Sequence, residues 1–282
     1  MSATGRLPQI PKIKIVDVGA MAVDNTDALY TALLKATPCE VIGFEPQEQE
    51  CAKLSALNHP GHTFLAWFIG DGARHTFHEC AYGAGATSSL FEPNLPLLEK
   101  FQRFAPLSRV VRKTEVTTRR LDDIPEVAGT DFLKLDVQGA ELLVLAGAME
   151  TLKNVGVVHT EVEFVPLYKN QPLFSDIDLC LRKHGFAFHT VTHTMGRTFK
   201  PLIVNNDVNA SFSQKLWGDF VYVKDFMKFP ELTSTQLLKI AAILHWNYRS
   251  VDLASVALKA YDEKEGTNVF QAYIDSLTNK TS

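Results

Sequence analysis

The chain lacks any apolar run approaching the roughly 18 residues needed to span a bilayer, and its opening, MSATGRLPQIPKIK, has no apolar core of a secretory signal. Cysteine is sparse: Cys39, Cys51, Cys80 and Cys180 are scattered, with no Cys-x-x-Cys pair and no His-rich partner. That excludes a recognisable zinc motif and a disulfide framework, and fits reduced thiols in a cytoplasmic protein. Charge of one sign is also missing. The formal net charge is −4 over 282 residues, so nothing favours nucleic acid or an anionic membrane as partner. Glycine is scarce where a dinucleotide would need it, as shown below, and no Tyr-x-x-x-Lys pair occurs.

What is present is a strand–helix rhythm. Ile13 to Val18 is a β-branched run ending in Asp17-Val18-Gly19. Thr26 is a candidate cap for a helix carrying Leu29, Leu33 and Leu34. Val41 to Phe44 is a second strand, closed by Glu45-Pro46, and a helix with Cys51, Leu54 and Leu57 inward follows. Thr63 to Ile69 reads as a third strand, ending at Gly70-Asp71-Gly72. Such alternation predicts a parallel sheet. Arg74 to Glu79 is a short edge strand, and 81–96, rich in Gly, Ser and Pro, is a long loop. Arg109 to Arg120 alternates apolar and polar with five basic residues. It is read as a solvated edge strand, with an anion-landing role as the lesser alternative.

The most informative stretch is DFLKLDVQGAELLVLAG, 131–147. A buried strand ends at Asp136; after Gln138-Gly139 the period becomes helical, with Leu142, Leu145, Ala146 and Met149 on one face. GVVHTEVEF then gives another strand, on which His159, Glu161 and Glu163 share a face by two-residue alternation. Ser175 and Asp178 suggest a capping-box start to a helix using Phe174, Ile177 and Leu181. Phe186 to Thr192 and Phe220 to Val223 form a hairpin-like pair. The fold class expected is α/β: a Rossmann-like, mostly parallel twisted sheet with an antiparallel edge hairpin over 1–228, and a helical extension over 229–282. Aromatic positions in the last helices are compatible with a homodimer.

Function is read from the acids at the strand ends. In open parallel sheets the ligand sits outside the carboxyl ends of the strands. A second-strand carboxylate there accepts from both ribose hydroxyls, and Glu45 lies 28 residues after Asp17. Asp71 is placed to accept from a purine amine. A dinucleotide site wants Gly-x-Gly-x-x-Gly, whereas Gly19 is followed by Ala20-Met21-Ala22-Val23-Asp24. NAD and FAD are thereby disfavoured. S-adenosylmethionine has no phosphate, and acids such as Asp17, Asp136 and Asp24 suit its positive groups.

These residues also carry a resemblance. DFLKLDVQGAELLVLAGA, with VDVGA, VIGFEP, IGDG, TSSLFEP and TEVEFVPLY, resembles the FkbM-type methyltransferase family from about Ile13 to Lys224. The resemblance implies an S-adenosylmethionine-dependent O-methyltransferase acting on a hydroxyl of a sugar, glycan or secondary metabolite. It implies Asp17 and Gly19 at the methionine end, Glu45 on the ribose, Asp71 near the adenine and Asp136 beside the methyl group. Where the family more often has Asn-x-Gly, this chain has Met21-Ala22-Val23. Asp136, Glu161 and His159 are the catalytic candidates, and Ser88, in the long loop with Ser89, is a candidate cofactor cover. His189 and His193 are read as structural, and 214–219 as acceptor-lining. No metal ligands are assigned; a divalent cation between Asp136 and Glu161 is the alternative to direct proton transfer. The rival functions are an NAD(P)-dependent oxidoreductase and a non-catalytic member that binds cofactor or a partner.

Overall fold

The structure, a computed structural model, describes residues 7–20, 29–81 and 86–278. In chain order, β1 (Ile13–Val18), α1 (Thr31–Ala36), β2 (Cys39–Phe44), α2 (Glu48–Ala56) and β3 (His62–Leu65) make the first half of the sheet. A separate two-stranded ribbon of β4 (Arg74–Cys80) and β5 (Val110–Thr117) follows, enclosing α3 (Leu95–Leu98) and α4 (Phe104–Leu107). Next come β6 (Phe132–Leu135), α5 (Glu141–Ala146), α6 (Thr151–Asn154), β7 (Val157–Glu163), α7 (Phe174–Lys183), β8 (Phe186–Gly196) and β9 (Lys215–Lys224). The chain ends in α8 (Ser234–Tyr248), α9 (Val251–Glu265) and α10 (Val269–Thr278).

Seven strands form one sheet in the order β3-β2-β1-β6-β7-β9-β8. All run parallel except β9, which is antiparallel to both β7 and β8. The edge is therefore a β8–β9 hairpin with its reversed strand turned inward. Strand order reverses between β1 and β6, which opens a crevice at their carboxyl ends. Two-residue alternation sorts the side chains onto two buried faces. Val16, Val18, Leu133, Leu135, Val158 and Val162 pack with Val144 and Leu145 of α5 and Leu181 of α7. Ile13, Ile15, Phe132, Val157, Val221 and Val223 pack instead with α8 and α9.

The C-terminal helices thus share the sheet's core. Helix α8 starts where Thr233 accepts from the Gln236 N–H (3.2 Å) while Gln236 Oε1 accepts from the Thr233 N–H (3.0 Å), the reciprocal cap that orphan N–H groups need. Leu237, Ile240, Ile243 and Leu244 are buried on it, each contributing roughly 1.5–3 kcal/mol by leaving water. A third cluster of Leu98, Phe101, Phe104, Leu167, Tyr168 and Leu216 draws on segments that follow β4 and β7 and lead into β9, so it caps the carboxyl end of the sheet.

Several sequence expectations shift. The third strand stops at Leu65, because the Trp67 N–H turns back onto the Leu65 carbonyl (2.9 Å). Leu57 follows the end of α2 and is 56% exposed. Helix α7 is capped through the Asp176 carboxylate, which accepts from the Leu173 N–H (2.9 Å). Ser175 plays no capping part, and Asp178 instead pairs with Arg182 (2.8 Å). Met21 to Asp24 and Thr26 lie outside the described residues. No described helix is long and apolar enough to cross a membrane.

Candidate active site

At the switch point the β1 turn and the β6 end nearly touch. Gly19 has φ +82°, and a Cβ there would stand 1.9 Å from the Asp136 carbonyl oxygen. Its N–H donates to the Phe44 carbonyl (2.9 Å), and the Asp136 N–H donates to that of Val18 (3.0 Å). Only glycine combines that φ with that approach.

Beside it opens a cavity of about 280 Å³, near the lower limit for small-molecule sites. Its walls include Gly19, Glu45, Ser88, Lys134, Asp136 and Gln138, with Phe44, Trp67, Phe68 and Phe77 at the aromatic end. Trp67 stacks on Phe44 (centroids 6.1 Å apart) and carries the Arg119 guanidinium 4.0 Å from its ring centre. That contact holds a flat wall in place and occupies one of the basic residues of 109–120. Glu45 is buried, and its Oε1 accepts from the Gln47 N–H (2.8 Å). Burial raises its proton affinity, against the pull of that N–H.

Three further predicted cofactor residues occupy distinct places. Asp17 is buried next to the cavity but does not line it; its Oδ2 accepts from Tyr30 Oη (3.0 Å) and its Oδ1 pairs with Lys134 Nζ (3.1 Å). Ser88 lines the cavity, and its Oγ accepts from the Cys80 N–H (3.0 Å). Asp71 is not among the lining residues. With β3 ending early, Asp71 closes a turn, its Oδ1 meeting the Ala73 N–H (2.9 Å) and His75 Nε2 (2.8 Å). Burial alone would raise Asp71, but these bonds hold it below the ordinary carboxylate range.

Asp136 has a 42% exposed side chain and lines the cavity. Its acidic neighbours are Glu161 and Glu163 at the end of β7, Glu141 at the start of α5 and Asp219 within β9, paired opposite Glu161. Gln138 joins the two groups: its Nε2 donates to Asp136 Oδ1 (3.0 Å) and to Glu161 Oε2 (2.9 Å). Its carbonyl accepts from Ser89 Oγ (2.7 Å), tying the long loop to the site. Burial, then the negative charge of Asp136 and its neighbours, pushes Glu161 well above the usual carboxylate range. The same causes bring Asp219 up to about 6, and burial takes Glu141 to about 7.

His159 is not brought to the cavity. It lies mid-strand opposite Lys134, stacked on Tyr248 of α8 with Nδ1 3.2 Å from the Tyr248 hydroxyl. Burial, with the Lys134 charge, pushes its imidazole down to about 4. Glu161 touches the site through Gln138 and does not line the cavity. Among the described residues no group of three or more His, Cys, Asp or Glu is spaced to hold a metal; the Gln138 amide links Asp136 and Glu161. His189 bonds to Ser250 Oγ (2.7 Å), and in the 214–219 segment Leu216 is part of the cap cluster.

Residues 17–188, well over half of the chain, match the Methyltransferase FkbM domain. The chain belongs to the FkbM methyltransferase family. The 2-O-methyltransferase NoeI of Sinorhizobium fredii (strain NBRC 101917 / NGR234) is 46% identical over 68 residues, which is 23% of this chain and 28% of that relative. The match therefore spans under a third of the relative's length. Among solved structures, magnesium protoporphyrin IX methyltransferase from Synechocystis PCC 6803, with bound SAM, aligns over 76% of this chain and 71% of its own at 11% identity and a TM-score of 0.37. An antibiotic-related methyltransferase aligns over 76% and 90% at 14% identity and 0.34.

FkbM methyltransferases use S-adenosylmethionine, and this cleft fits it. Gly19 leaves the β1 turn beside the cavity without a side chain, Glu45 supplies a buried carboxylate at the second strand end, and aromatic rings line the wall. Lys134, Gln138, Glu141 and Tyr30 escaped the sequence reading. Lys134 and Glu141 flank Asp136 at two and five residues' distance, and alternation along the strand would have put Lys134 on the face of Asp136.

Proposed function

We propose that this FkbM protein transfers a methyl group to a hydroxyl oxygen of a sugar, glycan or secondary metabolite. S-adenosylmethionine, when bound, supplies an electrophilic methyl on its sulfonium. The protein's own part is to hold that group, exclude water and receive the acceptor's proton. Glu45 would bind the ribose hydroxyls, and Phe44, Trp67 and Phe68 would enclose the adenine.

The observation that carries the reading is that Asp136, alone among the acids clustered at the ends of β6 and β7 and on the facing stretch of β9, lines the cavity. It is thus the group within reach of an acceptor hydroxyl. Gln138 fixes which Asp136 oxygen is occupied, leaving Oδ2 for the incoming proton. Glu161 acts on Asp136 through the shared amide. The relative that methylates at a 2-O position favours a carbohydrate acceptor.

A labelled methyl donor, presented with a panel of mono- and oligosaccharides and of phenolic metabolites, tests this. Label on a sugar hydroxyl is the expected outcome. Label appearing on nitrogen acceptors only, or binding of cofactor with transfer to no hydroxyl, would remove the proposal.

A further inference from the structure

The sequence DFLKLD places Lys134 two residues before Asp136, and the structure shows what that lysine does to the ligand's options. Its Nζ donates to the Gly19 carbonyl (3.1 Å) and pairs with Asp17 Oδ1 (3.1 Å). Those are the two acceptors at the β1 turn to which an incoming ammonium would otherwise turn. Asp136 Oδ2 is at 3.7 Å, beyond hydrogen-bond distance. An ammonium carries three N–H donors; among the described residues two are engaged at the β1 turn, and the third can serve a ligand. Burial alone would disfavour the charge on Lys134, but Asp17 and Asp136 outweigh it and keep the lysine protonated.

Lys134 and Asp136 are both cavity-lining, whereas Asp17 is not. The cavity wall therefore presents one fixed cation and one anion side by side. At that wall the lysine is complementary to the carboxylate end of an α-amino acid zwitterion. A ligand ammonium directed at the β1 turn would meet Lys134 and be repelled.

We propose that Lys134 binds the carboxylate of the cofactor's methionine moiety, so that the ligand's ammonium turns away from the lysine and from the Gly19 carbonyl. This rests on the cofactor reading above and deepens it by assigning the orientation of the amino-acid end. Asp17 and Tyr30 then serve as positioning residues: Asp17 anchors the lysine, and the Tyr30 hydroxyl holds the other Asp17 oxygen at 3.0 Å.

Calorimetry on the full chain with three ligands tests the proposal: S-adenosylhomocysteine, the analogue that lacks only its carboxylate, and 5′-methylthioadenosine, which lacks the whole amino-acid end. The wild-type protein is expected to bind S-adenosylhomocysteine at least about tenfold more tightly than the decarboxylated analogue, the scale of one charged hydrogen bond. Lys134→Met should abolish that preference while leaving 5′-methylthioadenosine affinity within about threefold. A Lys134→Met change leaves Asp17 buried without its cation, so the double variant Asp17→Asn/Lys134→Met, which removes both charges, provides a second chain to be read by the same ratio. Equal wild-type affinity for the carboxylated and decarboxylated ligands overturns the assignment without any variant. So does a variant that loses all three ligands in proportion, the mark of a merely structural lysine. Wild-type protein that binds none of the three overturns the cofactor reading itself.

Discussion

Replacing Gly19 with alanine is the sharpest perturbation of the switch point. Two effects add. A non-glycine residue at φ +82° costs roughly 1–2 kcal/mol for the left-handed conformation. The new methyl would also lie 1.9 Å from the Asp136 carbonyl oxygen, and forcing such an overlap apart costs about 1–3 kcal/mol more. Gly129 supplies an internal control: its φ is +77°, yet a Cβ there meets nothing within 4 Å. Gly129→Ala should therefore show the conformational cost alone. At about 2–4 °C per kcal/mol for a chain of this size, Gly19→Ala is expected to melt roughly 4–20 °C below wild type, and Gly129→Ala by no more than about 8 °C. Thermal melts followed by circular dichroism, with S-adenosylhomocysteine titrations on the same samples, read both outcomes. Gly19→Ala should also lose ligand, because relief of the overlap moves the β1 turn off Asp136. Two variants that melt alike, with ligand affinity intact in both, would refute the reasoning that β1 and β6 must close to this distance.

Other outcomes follow from the same geometry. Asp136→Asn should lower methyl transfer at least about 100-fold, the usual scale of a general base, with S-adenosylhomocysteine affinity changed by less than about tenfold; Glu161→Gln should lower transfer less, and the reverse order would return the base role to Glu161. Glu45→Ala should weaken S-adenosylhomocysteine at least about tenfold, since it removes the acceptor for two hydroxyls, and an unchanged titration would discard the ribose assignment. Glu141 has a folded-state pKa raised by burial to about 7, so the native state holds its proton where the unfolded chain has lost it. Its contribution to stability is complete below about pH 4.5 and falls as pH rises from there to about 7. Glu141→Gln, which keeps an acceptor for the Val137 N–H (2.8 Å in the wild type), should flatten that decline in urea-unfolding profiles; an unaltered profile would place the buried proton elsewhere. Tyr248→Phe removes the hydroxyl next to His159 and is expected to cost about 0.5–1.5 kcal/mol with no change in ligand binding, whereas a loss of binding would bring His159 back into the site.

Much of the sheet was legible because its strands are buried on both faces and so appear as short β-branched or apolar runs with sharp ends. β1, β2 and β6 were placed in this way, and with them Gly19, Glu45 and Asp136. The apolar pattern overextends the third strand because Trp67, Phe68 and Ile69 continue it after the backbone has turned at Leu65. Trp67, Phe68 and Ile69 serve the cavity wall, and extending the strand through them places Asp71 toward a cavity it does not line. His159 follows the alternation of its strand as expected. Periodicity could not show that α8, some 75 residues later, returns to cover that face and places Tyr248 against the imidazole. Lys134 is not legible for a related reason: a lysine in a buried strand gains meaning only with its anions, and Asp17 reaches it from another strand. The tie from Ser89 to Gln138 joins two turns and leaves no spacing in the sequence.

Calorimetric titration of the full chain with S-adenosylhomocysteine, in parallel with NAD, bears most directly on the central claim. Stoichiometric binding of S-adenosylhomocysteine, weakened in Glu45→Ala, with no heat from NAD, is the result predicted by a single-glycine turn flanked by strand-end acids. Binding of NAD, or of S-adenosylhomocysteine with the same affinity in Glu45→Ala as in wild type, would contradict it.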